Sequence, residues 1–250
     1  MYFATKEIDM KRWIDNIRTV HCLFEQTGTF RDEFRALGFR SFDYDIENGF
    51  QTTDFQVNLL NDIQAAYLKR KSVIGKFGPR DFVMAFFPCT YFNQANRLML
   101  RMDDYLKKDQ SDAQKIRSII KRAKMVFLYY ERLNQLLAVS LRNGFPMIIE
   151  NPCTGSLIRS TFYREPDIID SNRAEFGDDF RKPTCYWFVN CRPMCSAWNN
   201  GYKASQAKHT VFNGARGFGR SMITKDYARN FIRVAIMGED PIPQQMLLPL

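Results

Sequence analysis

The sequence predicts an α/β domain built on a doubly wound, mostly parallel sheet, and three observations carry that prediction. Short apolar runs alternate with stretches of helical periodicity along most of the chain. The runs are bounded by Gly, Pro or acidic residues, as strands of such a sheet are. Finally, 250 residues, 45% of them hydrophobic and 25% charged, can bury a full-sized core without a disulfide or a metal.

The elements follow in order. VHCLF, Val20 to Phe24, is a short apolar run and reads as the first strand. After the turn EQTGTF, the segment RDEFRALG continues a pattern in which Phe30, Phe34 and Leu37 recur at helical spacing, with Gly38 as the stop. FRSFDYD, Phe39 to Asp45, is a second strand ending in acids, and DFQVNLL, Asp54 to Leu60, a weaker third. DFVMAFF, Asp81 to Phe87, is a fourth, set between Gly78-Pro79 and Pro88. FPMIIE, Phe145 to Glu150, makes a fifth and CYWFVN, Cys185 to Asn190, a sixth. Between the fourth and fifth strands, 93–143 reads as a helical insertion of two helices. The second is long: SDAQ at Ser111 to Gln114 has the capping-box form, and the pattern runs through Leu128, Leu136 and Leu137 to Asn143-Gly144. Residues 191–219 read as a short irregular segment, and Thr224 to Ile236 as a closing helix. With no repeat or flexible linker, 1–250 is expected to form a single domain.

Charge narrows the partner. Thirty-six Lys and Arg against twenty-seven Asp and Glu give a formal charge of +9, which points to a polyanion, with DNA, single- or double-stranded, as the expected partner. The basic residues cluster in KIRSIIKRAK, where Lys115, Arg117, Lys121, Arg122 and Lys124 are candidate phosphate contacts. Lys121, Arg122 and Lys124 cannot all share one narrow helix face, so a solvated surface explains part of the run. No stretch approaches the roughly 20 apolar residues of a membrane span, so a soluble, unprocessed protein with no membrane partner is expected. Six cysteines without the spacing of a secreted scaffold fit a reducing compartment, and the expected location is cytoplasmic. Cys185, Cys191 and Cys195, with Cys153 or His209, could supply four zinc ligands, but no spacing is Cys-x-x-Cys and no metal is expected. His21 reads as a hydrogen-bonded core residue.

Ligands of a doubly wound sheet bind outside the carboxyl ends of its strands. That rule singles out Gly28 in the first turn, Asp43 and Asp45 ending the second strand, Cys89 after the fourth and Glu150 ending the fifth. Each has a bland reading as turn glycine, solvated strand end or inert thiol. Together they require four coincidences on one edge.

LFEQTGTFRDEFRALGF at Leu23 to Phe39, FDYDI at Phe42 to Ile46, AFFPCTYFN at Ala85 to Asn93 and IIENP at Ile148 to Pro152 resemble, in order and context, the DNA cytosine-5 methyltransferases. The small, phage-type members are the most similar, and FRKPTCYWFVN and RSMITKDYARNFI are similar to the late strand and closing helix of that group. The resemblance implies a class I methyltransferase-like fold and methylation of cytosine carbon 5 with S-adenosylmethionine as donor. In that chemistry a thiolate adds to carbon 6 while a carboxylic acid steadies the ring at nitrogen 3. By resemblance Cys89 is the thiol, Glu150 the acid, Pro88 fixes the loop backbone and Asn151 braces it. Phe24 and Gly28 would flank the methionine part, Asp43 hold the ribose, Tyr44 stack on the adenine and Asn58 lie near it. Arg181 and Lys182 are the nearest groups to polarise the base's carbonyl. The chain departs from the family at Glu25 and Gln26, where many members have a small residue and a glycine, and at Phe86-Phe87, which crowds the pocket floor. It also lacks a full target-recognition domain. Two alternatives therefore stand: a non-catalytic nucleic-acid-binding or decoy protein of the same fold, and a thiol enzyme acting on free pyrimidine nucleotides.

Overall fold

The computed structural model describes residues 12–92, 100–103, 107–153, 158, 162–194 and 222–239. Seven strands form one sheet: β1 (Thr19–Leu23), β2 (Arg40–Asp45), β3 (Phe55–Gln56), β4 (Asp81–Phe86), β5 (Met147–Pro152), β6 (Ile168–Asp170) and β7 (Thr184–Val189). Their order is β3-β2-β1-β4-β5-β7-β6. The first five are mutually parallel, and β7 runs antiparallel to both β5 and β6. The chain leaves β1 toward β2 and β3 on one side and returns to place β4 on the other, so the strand order reverses between β1 and β4. A crevice opens at the carboxyl ends of such a pair.

Helices cover both faces, and the alternation of side chains along the strands divides the core between them. Val83, Ala85, Met147 and Ile149 pack with α2 (Leu59–Tyr67) and the second half of α3 (Asp112–Asn143). Phe82, Met84 and Ile148 pack with α1 (Thr29–Ala36) and with α4 (Lys225–Phe231), which a π-helical turn, Ile232–Ile236, continues. His21 lies on the α2 side of the sheet, stacked on Phe77, its Nδ1 sharing a hydrogen bond with the Tyr44 hydroxyl at 2.9 Å. Burial pushes its imidazole down to about 4, against the pull of Asp81, so it is neutral near pH 7.

Several elements differ from the sequence expectation. The third strand stops at Gln56 because the Asn58 side chain accepts from the Asn61 amide and caps α2, whose Leu59, Ile63 and Ala66 are buried at helical spacing. β6 is too short to show a pattern of its own, and β7 is antiparallel where a parallel continuation is the simplest reading of the sequence. The long helix begins at the expected capping box, Ser111 with Gln114, and ends at Gly144, whose φ of 75° suits a glycine. Its buried residues all lie between Arg132 and Ser140, so this half is the crossover helix of the β4-to-β5 connection rather than an addition to it. The helix expected before it is not seen among the described residues, since 100–103 and 107–110 form turns and 93–99 and 104–106 lie outside them. Most of the irregular segment 191–219 also lies outside the described residues.

Candidate active site

A cavity of about 270 Å³ lies at the carboxyl ends of β2, β1, β4 and β5. That is close to the lower end of small-ligand clefts and far above the void a single water fills. Successive strands are about 4.8 Å apart, so the four span roughly 14 Å from the β2 end to the β5 end.

At the β5 end three of the residues singled out from the sequence come together. Pro88, Cys89 and Glu150 line the cavity. Cys89 opens a single 3-10 turn, Cys89–Tyr91, immediately after Pro88. The turn is held from below: Asn151 Nδ2 donates to the Phe87 carbonyl at 2.8 Å, so the residue beside the acid fixes the loop that carries the thiol. Glu150 is 6% exposed, and its Oε1 has no hydrogen-bond partner among the described residues. An unpaired buried carboxylate oxygen is costly unless a ligand completes it. Burial raises the Cys89 thiol above its ordinary range, Lys182 pulls it down and Glu150 pushes it up.

At the β2 and β1 end the assignments shift. Phe24 lines the cavity as expected, with φ of 61°, an uncommon value for a bulky residue. Its amide donates to the Tyr44 carbonyl at 2.8 Å, and this reversal throws residues 25–27 across the strand ends. Asp43, expected to hold a ribose, is fully buried and engaged: Arg31 Nη1 donates to it at 2.9 Å and the Asp54 amide at 2.7 Å. Asp45, two residues on along the same face, lines the cavity instead and is 6% exposed. Tyr44 points to the opposite face, stacked on Phe55 with ring centroids 5.0 Å apart, and does not line the cavity. Asn58 is likewise absent from it, being the α2 cap. Gly28 adopts φ of 66° at the α1 N-cap, but the Arg31 guanidinium fills the space a Cβ would take there, and Gly28 does not line the cavity.

Two cations complete the β5 end. Lys182 lines the cavity, whereas Arg181 is exposed and does not. Arg173 also lines it, and sequence reasoning missed this residue. Its guanidinium is fully buried, fixed by Asp178, by the Met222 carbonyl at 3.2 Å and by the Tyr227 ring at 5.1 Å. Its Nη1 has no partner among the described residues. Arg173 follows β6, so the missed three-residue strand concealed it. The five-residue spacing to Asp178 was the available signal.

Away from the cavity, Arg117, Lys121 and Lys124 border one surface depression on the first half of α3, together with Ile120 and Met125. Lys115 pairs with Asp112 at 3.2 Å, and Arg122 does not border that depression. Cys153, just after β5, and Cys185 on β7 are joined as a disulfide, Cα to Cα 5.2 Å, so neither is a free thiol or an available metal ligand. Cys195 and His209 lie outside the described residues, among which no group of three or more His, Cys, Asp or Glu is placed to hold a metal. No helix among the described residues is long and apolar enough to cross a membrane. A scan against family models and a search of curated proteins each found no match to this chain.

Proposed function

We propose that the protein methylates carbon 5 of cytosine in DNA through a covalent Cys89 adduct, using an adenosyl methyl donor of the S-adenosylmethionine type. The observation that carries this reading is the convergence of a thiol and an unpartnered buried carboxylate on one cavity, at the ends of neighbouring parallel strands. Ionised Cys89 adds to carbon 6 of the ring. The Glu150 carboxyl engages ring nitrogen 3 and stabilises the charge that develops. Arg173 Nη1 and Lys182 are donors for the base's carbonyl oxygen. An adenosyl sulfonium held in the cavity would supply the methyl group to the activated carbon 5, its sulfur leaving as the neutral thioether. Loss of the carbon 5 proton to a base then expels the Cys89 thiolate and restores the ring.

The donor would lie at the other end, where Asp45 can accept ribose hydroxyls and Phe24, Phe50 and Phe86 offer apolar walls. The strand order, with its reversal beside Cys89, supports a class I methyltransferase-like arrangement. Two observations favour a second reading, a binding protein without turnover: burial raises the Cys89 thiol, and Glu25 fills the first turn.

Transfer of a labelled methyl group from S-adenosylmethionine to single- and double-stranded DNA, and to free cytidine nucleotides, separates these readings. The expected outcome is labelled DNA, abolished by Cys89→Ser and slowed roughly 10²–10⁴-fold by Glu150→Gln. Label in the free nucleotide alone moves the nucleotide enzyme ahead. Donor bound without transfer to any substrate leaves the binding protein.

A further inference from the structure

We infer that the donor end of the cavity selects an adenosyl sulfonium whose tail is cationic and lacks a carboxylate, in preference to S-adenosylmethionine. The inference rests on the reading that this end holds an adenosyl methyl donor. It comes from what the chain has already placed where a ligand anion would sit.

A ligand that reaches from Asp45 on β2 to the reacting group at β4 must pass over β1, which lies between them. At that point the N-terminus of α1 would offer its free amides to a carboxylate or phosphate. Here the Glu25 carboxylate occupies two of them, accepting from the Phe30 amide at 2.6 Å and the Arg31 amide at 3.3 Å. Glu25 is 6% exposed and lines the cavity.

Two nearby side-chain donors are engaged as well. Gln26 Nε2 donates to Glu47 at 2.9 Å, which turns that amide away. Arg31, the closest cation on α1, is committed to Asp43, Asp32 and the Thr52 carbonyl. Among the described residues, Arg173 and Lys182 are the cations lining the cavity, and both sit at the opposite end, with Cys89 and Glu150.

The β2 and β1 end thus presents two carboxylates, Glu25 and Asp45, and no cation. A ligand carboxylate placed there would meet like charge and find the Phe30 and Arg31 amides already taken. An ammonium group in the same place would meet Glu25 directly. Burial pushes the Glu25 carboxyl up to about 7, so a comparison at pH 8 finds it ionised.

Isothermal titration of the full chain at pH 8 with S-adenosylmethionine, its decarboxylated form and 5′-methylthioadenosine tests this. The expected order has the decarboxylated donor at least about tenfold tighter than S-adenosylmethionine, the scale of one lost charged contact. Glu25→Gln should narrow that gap, because the like charge is gone. S-adenosylmethionine binding as tightly as its decarboxylated form, or more tightly, overturns the inference and leaves the methyl-donor reading standing. An unchanged gap in a folded Glu25→Gln protein overturns the role of Glu25. Binding of none of the three at millimolar concentration overturns the methyl-donor reading and this inference with it. Should Glu25→Gln fail to fold, the wild-type ratio decides alone.

Discussion

Cys89 sits in a contest between burial, which favours the thiol, and Lys182, which favours the thiolate. The sign of its pH dependence follows. Below a raised pKa, thiolate increases about tenfold per pH unit, so reactivity should keep climbing through and beyond the ordinary thiol range. Lys182→Met removes the opposing cation and should move the profile to higher pH, with slower reaction at pH 7.5. Iodoacetamide labelling of the Cys89 peptide across pH 6–10 measures this, and a profile flat across the range contradicts it. Residue type and position made Cys89, Pro88, Glu150 and Asn151 legible, because each follows or ends an apolar run of unmistakable strand character. The residues at the β2 end were not legible in the same way. Asp43 and Asp45 lie on one face of β2 and both look available, and only the Arg31 guanidinium arriving from α1 shows that Asp43 is taken. Tyr44 fails for a simpler reason: strand alternation sends it to the face opposite those acids.

Helix α3 does two different jobs along its length. Its second half buries Leu133, Leu136 and Val139 against the sheet, whereas Ile116, Ile120 and Phe127 in the first half are exposed. Leu136→Ala should therefore cost about 2–5 kcal/mol in urea denaturation, and Ile120→Ala no more than about 0.5 kcal/mol. Similar losses at both positions would contradict the division. The basic face belongs to the exposed half, where Arg117, Lys121 and Lys124 border one depression. If they contact phosphates, log affinity for DNA should fall with log salt by about 0.9 per neutralised phosphate on duplex, or about 0.7 on single strands. Charge reversal at Arg117 and Lys121 should flatten that slope. An unchanged slope returns this face to ordinary solvated surface. The capping box and the terminal Gly144 made the helix boundaries legible, because local hydrogen bonding sets them. Which half packs was not, since that depends on where the sheet ends.

Across the whole molecule, strand order concentrates the chemistry. Reversal between β1 and β4 opens the crevice, and the same order sorts its charges, acids toward β2 and cations toward β5. The alternating pattern of apolar runs and helices was sufficient to read an α/β sheet, but neither β6 nor the antiparallel course of β7 is written in local periodicity. Arg173 was lost with them, although it is fully buried against Asp178 and borders the cavity. The proposed function requires that Cys89 attack cytosine beside Glu150. DNA carrying 5-fluorocytosine tests it most directly, because fluorine blocks the proton loss that releases the enzyme. Incubated with this DNA and an adenosyl methyl donor, the protein should form a covalent complex, and mass spectrometry should place the adduct on the Cys89 peptide. Cys89→Ser should give none, and Cys191, a free thiol outside the cavity lining, is the internal control. Donor bound and no adduct at Cys89, on either single- or double-stranded DNA, would contradict the account.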